Sequence, residues 1–187
     1  MKKLFIYLII LNCAIASAQE TAQNTDDQQL TWKGEAAVGG YSPEGTLDII
    51  SAKITYTSEQ IESLEIVVDM KSLQQENKQL EGHLKEKDFF HVNKYPKALF
   101  VLNEPATITN GKAKLKGTFT IKSTSLKEVI CATVQLNKTG MVISFEQVMD
   151  RTQYGITYNS PSVFEKIKEN AIADDFLLKG TLIFKRD

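Results

Sequence analysis

The strongest constraint on the fold is a strict alternation of residue types near the middle of the chain. Between Lys112 and Lys122, small or apolar residues occupy every second position, and Lys or Thr occupies the positions between them. Successive side chains of a β-strand point to opposite faces, so a period of two predicts a strand with one buried and one exposed face. Leu64 to Met70 has the same period. Both segments therefore favour half-buried strands over helices.

Six further runs have strand character, and turn chemistry separates several of them. Asn110-Gly111 predicts a type I′ hairpin turn, and the segment Asn137 to Gly140 predicts a longer hairpin loop. We therefore expect sequential antiparallel strands, which would close into a barrel or pack as two sheets, because an open sheet would leave two long edges unpaired. The eight predicted strands are Leu30–Val38, Thr46–Tyr56, Leu64–Met70, Lys97–Asn103, Lys112–Lys122, Leu126–Asn137, Met141–Met149 and Phe176–Lys185.

Two segments have helical character, which predicts one or two short helices beside the strands. Leu73, Leu80 and Leu84 lie at helical spacing, although Gly82 interrupts the segment. Ser162–Asn170 begins with a capping box, in which Ser162 is the N-cap and an acidic residue follows three positions later.

The first residues predict a secretory signal peptide over residues 1–18. Lys2-Lys3 precedes the apolar run Leu4–Ile15, which ends at the A-x-A cleavage site Ala16-Ser17-Ala18. The run is shorter than the roughly 20 residues that a membrane-spanning helix needs. A lipid-modified Cys13 is the alternative, although Asn12 stands where lipoprotein signals need a small residue. Export would place the protein in the periplasm or outside the cell.

The mature chain is expected to be one domain without disulfides. Residues 19–29 have no apolar periodicity, so they predict a flexible polar tether, and residues 30–187 predict the barrel domain. Cleavage would leave Cys131 as the single cysteine, which cannot form an internal disulfide. Because Cys131 lies in an alternating run without a basic neighbour, we expect a small buried apolar side chain rather than a reactive thiol.

Charge and motifs argue against nucleic-acid binding and catalysis. The chain has 22 Lys and Arg against 23 Asp and Glu, so it has no large excess of positive charge for a phosphate backbone. The sequence lacks a G-x-S-x-G elbow, an H-E-x-x-H helix, a phosphate-binding P-loop and a C-x-x-C pair. We therefore expect a protein that is not an enzyme.

Isolated polar residues do not predict a metal site or an acid–base pair. His83 and His91 would need a further ligand such as Asp88, so packing or capping roles are favoured for both histidines. Asp174 and Asp175 are adjacent, so in a strand they would point to opposite faces.

Apolar side chains recur at strand spacing and define the interior. Composition alone favours a filled core, although the same residues could line a cavity. These residues are Phe100, Phe119, Phe145, Phe176, Leu178, Leu182 and Phe184.

Four ordered segments resemble motifs of the YceI-like family. Leu80–Phe100 contains H-L, D-F-F and Y-P, followed by a strand that begins with an apolar residue and Phe. Gly117–Lys122 resembles the family's G-x-L-T-I-K/R-G strand, although Ser123 replaces the last Gly of that motif. Asp150–Ile156 resembles its R-T-x-[FWY]-G-I segment, and Ile172–Phe176 its closing strand. The order and spacing agree from about Leu30 to Phe184.

The resemblance implies a lipocalin-like antiparallel barrel that is exported and holds an isoprenoid or similar long-chain amphiphile, for storage or transport. It implies no catalytic machinery and no cofactor besides this ligand. Burial of each methylene contributes about 0.8 kcal/mol, so an apolar interior can hold such a tail with few polar contacts. Arg151 and Tyr154 are the candidates for contact with a polar head group. The candidate residues for the tail are Phe100, Phe119, Ile121, Ile143, Phe145, Phe176 and Leu178.

Three alternatives remain open at this point. Arg151 could form a salt bridge within the protein instead of binding a head group. The barrel could have a filled core and act as an exported protein-interaction module. The ligand could also be quinone-like, with a membrane enzyme or a lipid donor as a further partner.

Overall fold

The computed structural model describes residues 20–24, 28–164 and 171–186, in which ten strands and one α-helix form the fold. The predicted signal peptide lies outside these residues, as does most of the predicted helix Ser162–Asn170. The helix is α1 (Lys78–Lys85), and a 3₁₀ turn spans Arg151–Tyr154. The strands are β1 (Glu20–Asn24), β2 (Gln29–Lys33), β3 (Glu44–Tyr56), β4 (Gln60–Gln75), β5 (Lys97–Leu102), β6 (Ala106–Thr107), β7 (Lys112–Ile121), β8 (Thr124–Asn137), β9 (Gly140–Asp150) and β10 (Asp175–Arg186).

Eight of these strands form a closed antiparallel barrel, which confirms the predicted fold class. The order around the barrel is β2, β3, β4, β5, β7, β8, β9 and β10, and β10 pairs with β2 to complete the ring. The ladder between β9 and β10 runs from the pair Asp175 and Asp150 to the pair Lys185 and Gly140. Closure satisfies the backbone donors and acceptors that would otherwise lie on two sheet edges.

The segment before β2 contributes to the barrel wall, so the tether prediction is wrong for Glu20–Asn24. Ala22 pairs with Ile54 of β3 on one side and with Arg186 of β10 on the other. β2 pairs with the same two strands farther along them, so β1 and β2 share one position in the ring. Backbone pairing, rather than side-chain burial, holds the polar segment in place, and only Ala22 is described as buried there.

The hairpin prediction for Asn110-Gly111 is confirmed. The φ angles of Asn110 and Gly111 are 51° and 70°, which is the left-handed pair that a type I′ turn requires. Thr109 and Lys112 exchange two backbone hydrogen bonds of 2.8 and 3.0 Å across this turn. The turn directs the chain into β7.

The loop between β8 and β9 is shorter than predicted. Asn137 and Gly140 are paired in the sheet, so only Lys138 and Thr139 lie between the strands. The Asn137 Oδ1 accepts a hydrogen bond of 2.9 Å from the Thr139 amide and tightens the turn. Gly140 belongs to β9 because it pairs with Asn137 and Lys185, and a Cβ there would lie 1.9 Å from the Phe184 carbonyl oxygen.

One short helix forms where helical spacing was found, but it excludes Leu73. β4 continues through Gln75, and Leu73 lies in this strand because the ladder with β3 extends that far. The Asn77 Oδ1 caps the helix by accepting hydrogen bonds from the amides of Gln79 and Leu80, at 3.0 and 3.2 Å. Within the described parts of the chain, no helix has the length and hydrophobicity needed to cross a bilayer.

The prediction that Cys131 is buried is wrong. Cys131 is exposed on the outer face of β8, whereas Ile130, Ala132 and Val134 are buried. Both faces of this strand contain apolar residues, and the face with the larger branched side chains points to the interior. Val129, on the same outer face as Cys131, is also exposed.

Candidate ligand-binding cavity

The interior of the barrel is filled at one end and hollow at the other. In the filled end, the packed side chains are almost completely inaccessible to solvent. In the other end lies a cavity of about 190 Å³, which is more than ten times the roughly 10–15 Å³ that one water requires. The side chains of the filled end are Ile54, Tyr56, Ile61, Leu64, Leu115, Met141, Ile143, Leu182 and Phe184.

The walls of this cavity are almost entirely apolar. All eight strands of the ring contribute to them, and α1, residues 34–43 and Phe89-Phe90 surround the open end. Charged residues among the described lining are limited to Glu35, Arg151 and Asp175. Glu35 and Asp175 are exposed, so they mark the rim of the cavity rather than its interior. Such a lining can bury an apolar chain but offers few polar partners.

Seven of the nine predicted ligand-contacting residues line the cavity. These residues meet there because their side chains face the same end of the barrel interior. Contact between these side chains and a ligand stays a prediction. The seven residues are Phe100, Phe119, Ile121, Phe145, Arg151, Phe176 and Leu178.

Ile143 and Tyr154 do not belong to this lining. Ile143 faces the interior two residues from Phe145 along β9, which places it in the filled end, where it is fully buried. Tyr154 is buried at the end of the 3₁₀ turn, and its hydroxyl donates to Glu128 Oε1 at 3.3 Å. Burial raises the pKa of the Tyr154 phenol, and the charge of Glu128 raises it further. The phenol therefore stays neutral and engaged within the protein.

Arg151 holds the rim of the cavity together from inside the protein. Its Nε, Nη1 and Nη2 donate to the carbonyl oxygens of Ala173, Ile156 and Ile172, at 3.0, 2.7 and 2.9 Å. Nη2 also lies 3.6 Å from Asp174 Oδ1. Burial lowers the pKa of Arg151, but the charge of Asp174 opposes this shift, and a guanidinium remains protonated. These contacts match the ion-pair alternative, and contact with a head group is not needed to explain this residue.

An aromatic cluster supports the residues that surround the open end. The His83 ring of α1 packs edge-on against Phe89 and Tyr158, with ring centroids 5.1 and 4.7 Å away. The predicted packing role of His83 is therefore confirmed. Since Phe89 also lines the cavity, this cluster connects the helix to the apolar wall.

A charged cluster attaches α1 to the end of β4. Glu81 Oε2 accepts hydrogen bonds from the Gln75 amide and from Lys78 Nζ, at 3.2 and 2.8 Å. Its Oε1 accepts from Lys85 Nζ at 3.0 Å. The hydrogen bonds from Lys78 and Lys85 lower the pKa of the Glu81 carboxyl to about 2. The cluster fixes the helix that bounds one side of the cavity.

The sequence matches the family model of the YceI-like domain over residues 22–183. The chain belongs to the YceI-like family. This confirms the resemblance found in the four motifs, and the match begins within the segment that β1 occupies. No curated protein shows significant similarity to this YceI-like chain.

Solved structures share the barrel of this YceI-like chain. A polyisoprenoid-binding domain from Saccharophagus degradans, implicated in plant cell wall breakdown, has a TM-score of 0.67 at 10% identity and covers 91% of this chain and 100% of that one. BcnA of Burkholderia cenocepacia has a TM-score of 0.62 at 17% identity, with coverage of 83% and 94%. The YceI protein of Campylobacter jejuni has a TM-score of 0.54 at 25% identity, with coverage of 68% and 73%.

Several lining residues of the YceI-like barrel carry no sequence signal that assigns them to a cavity. Ile66, Val68 and Met70 belong to an alternating run that predicts a strand, but the alternation does not show that its interior face lines a cavity. Trp32 is the single tryptophan of the chain and lies against Gly45, where a Cβ would be 2.7 Å from the indole Nε1. That Nε1 is buried without a hydrogen-bond partner in the described structure. Its position depends on the pairing of β2 with β3, which no local motif encodes.

Proposed function

We propose that this YceI-like chain is an exported binding protein that holds an isoprenoid or similar long-chain amphiphile for storage or transport. The observation that carries the proposal is the apolar cavity of about 190 Å³ inside the barrel. Burial of a methylene contributes about 0.8 kcal/mol, so the tail supplies most of the affinity. The Saccharophagus degradans neighbour, described as a polyisoprenoid-binding domain, supports the same ligand class.

The alternative of a completely filled core has less support, because a cavity of this volume exceeds ordinary packing defects. We propose that binding occurs without catalysis. A ligand that is poorly soluble in water has to be received and released, so a lipid donor or a membrane enzyme is the partner that this function would require.

The charges around the cavity favour an uncharged head group. Among the described lining residues, the exposed charges are those of Glu35 and Asp175, which are both carboxylates. The cation in this described lining is Arg151, which donates to protein carbonyls. A prenyl diphosphate would bring negative charge towards these carboxylates, whereas a prenol or a quinone ring would not. We therefore expect farnesol to bind more tightly than farnesyl diphosphate.

Trp32 provides a direct measurement of binding. Because it is the single tryptophan and lines the cavity, a ligand that enters should change its emission. The delipidated protein would be titrated with farnesol and with farnesyl diphosphate. Ala98→Leu places a larger side chain in the cavity and should weaken binding. Ala37→Leu is the matched control, because Ala37 is exposed and lies outside the lining. Equal affinity of both variants and the wild type would contradict a site in the cavity.

Export and natural cargo require a second experiment. Protein purified from the exported fraction of its own cells would be measured by intact mass and extracted with organic solvent. We expect cleavage between Ala18 and Gln19 and a stoichiometric isoprenoid in the extract. A chain that retains residues 1–18, or an N-terminus lipidated at Cys13, would refute the proposed processing. An extract without stoichiometric lipid would refute the carrier function.

A further inference from the structure

The hollow and filled ends of the barrel meet at one level. On three strands, inward-facing residues change there from lining the cavity to packing against one another. The lining residue and its packed neighbour are Phe100 and Leu102 on β5, Phe145 and Ile143 on β9, and Leu178 and Leu182 on β10. The boundary is therefore shared by several strands of the ring, rather than confined to one strand.

Two glycines lie at this level on the inner face. Gly117 of β7 stands where a Cβ would lie 2.3 Å from two atoms of the Phe100 ring. Gly180 of β10 stands where a Cβ would lie 2.6 Å from the Phe145 ring and 2.6 Å from Leu30 Cδ2. Neither glycine has a positive φ, so space rather than backbone conformation requires them. The two phenylalanine rings thus extend sideways over neighbouring strands that carry no side chain there.

The rings on one side of the barrel also contact each other. The centroids of Phe100 and Phe119 are 4.8 Å apart, so these two rings form a continuous apolar surface. On the other side, Phe145 and Leu30 meet over Gly180. We call Leu30, Phe100, Phe119 and Phe145 the apolar floor of the cavity.

We propose that the apolar floor sets the length of the tail that this protein accepts. The inference rests on the proposed function and specifies its ligand further. From Asp175 at the rim to Gly180 at the floor, β10 spans five residues, or about 16 Å along the strand at roughly 3.3 Å per residue, and a strand tilt of about 35–45° reduces this to a depth of about 12–13 Å. A tail longer than this depth meets the floor and the filled end beyond it. The protein therefore prefers short prenyl chains to long polyprenols.

The test compares chain-length preference in floor variants. Phe145→Ala removes part of the floor and opens space towards the filled end, and Phe145→Leu is a milder change for use if the alanine variant fails to fold. Binding of geraniol, farnesol, geranylgeraniol and a long polyprenol would be followed by Trp32 emission. The wild type should bind the shorter prenols of this series more tightly than the long polyprenol. The variant should gain at least about tenfold in affinity for the next longer prenol, since each added methylene finds apolar space.

A control variant and a second ligand series keep the interpretation unambiguous. Leu80→Ala removes a large side chain from the lining at α1, outside the floor, and should not lengthen the preferred chain. Straight-chain alcohols of increasing length measure depth without the isoprenoid branches. If floor variants fold but keep the wild-type preference for chain length in both alcohol series, the proposed role of the floor is refuted. Binding of straight-chain alcohols without any prenol would refute the isoprenoid ligand alone, and no binding of either series would refute both proposals.

Discussion

Replacing Arg151 with methionine should destabilise the fold and disrupt the rim of the cavity. The variant loses three hydrogen bonds from a charged donor, to the carbonyls of Ala173, Ile156 and Ile172. Hydrogen bonds to charged groups contribute about 1.5–3 kcal/mol each, but carbonyls near a rim regain water when the donor leaves. Removing one partner of a buried ion pair costs about 3–5 kcal/mol, and we expect a loss in that range.

The assay is urea unfolding, together with thermal unfolding, of the wild type and of the Arg151→Met variant. For a domain of this size, each kcal/mol lowers the melting temperature by about 2–4 °C, so the expected shift is roughly 6–20 °C. The matched control is Lys116→Met, because Lys116 pairs with Glu104 at 2.7 Å while both side chains are more than half exposed. Such a surface pair contributes less than about 1 kcal/mol.

A loss below about 1 kcal/mol for Arg151→Met would refute the reasoning, because it would place Arg151 with the surface pairs. The same variant should bind farnesol more weakly, since Ile156, Ile172 and Ala173 all line the cavity. Unchanged binding in a destabilised variant would show that Arg151 supports the fold without shaping the site.

Three further predictions concern other parts of the molecule. Because the pKa of Glu81 is about 2, below its ordinary value of 4.5, its stabilising contribution is present above pH 4.5 and is lost as the pH falls towards 2; Glu81→Gln should remove this dependence from urea unfolding curves. Cys131 is exposed, so timed maleimide labelling with peptide mapping should find it modified in the folded protein at nearly the unfolded rate. Leu182→Ala, in the filled end, should lower the free energy of unfolding by about 2–5 kcal/mol, and Leu178→Ala should cost less, because Leu178 already faces a void.

Each of these expectations has a contrary result. Parallel pH profiles for the wild type and Glu81→Gln would contradict the charged cluster at α1. Protection of Cys131 until unfolding would contradict its position on the outer face of β8. Equal losses for Leu178→Ala and Leu182→Ala would contradict the division of the barrel into a hollow and a filled end.

The sequence predicts a strand well where only one of its two faces is apolar. Lys112 to Lys122 is such a segment, because its second face carries only Lys and Thr. In β8 both faces contain apolar residues, so the pattern did not decide between Ile130 and Cys131 for the interior. Ala22 shows a different limit, since β1 depends on backbone pairing with two strands that are distant in sequence.

The candidate site depends on the height of each residue along the barrel axis, which the alternation of residue types does not describe. Phe145 and Ile143 face the same interior and follow the same pattern, yet only Phe145 lines the cavity. Alternation assigns a residue to the inner or outer face, but its height along the barrel axis depends on the register of eight strands. The helix leucines Leu80 and Leu84 reach the cavity through the packing of α1 beside the open end. Tyr154 lies outside the lining for a different reason, because its motif does not show where the 3₁₀ turn packs.

The division of the interior explains how one small barrel can be stable while keeping a void. At about 24 cal/mol per Å³, a cavity of about 190 Å³ forgoes roughly 4–5 kcal/mol of packing energy. That loss is comparable to the stability of many domains, so the remainder of the fold has to compensate. The filled end and the closed hydrogen-bonded ring provide this compensation. Bound ligand at about a thousand times its dissociation constant would return about 4 kcal/mol, close to what the void removes. Residues of the filled end can therefore vary without changing the lining of the cavity, because the two sets of residues lie at separate heights of the barrel.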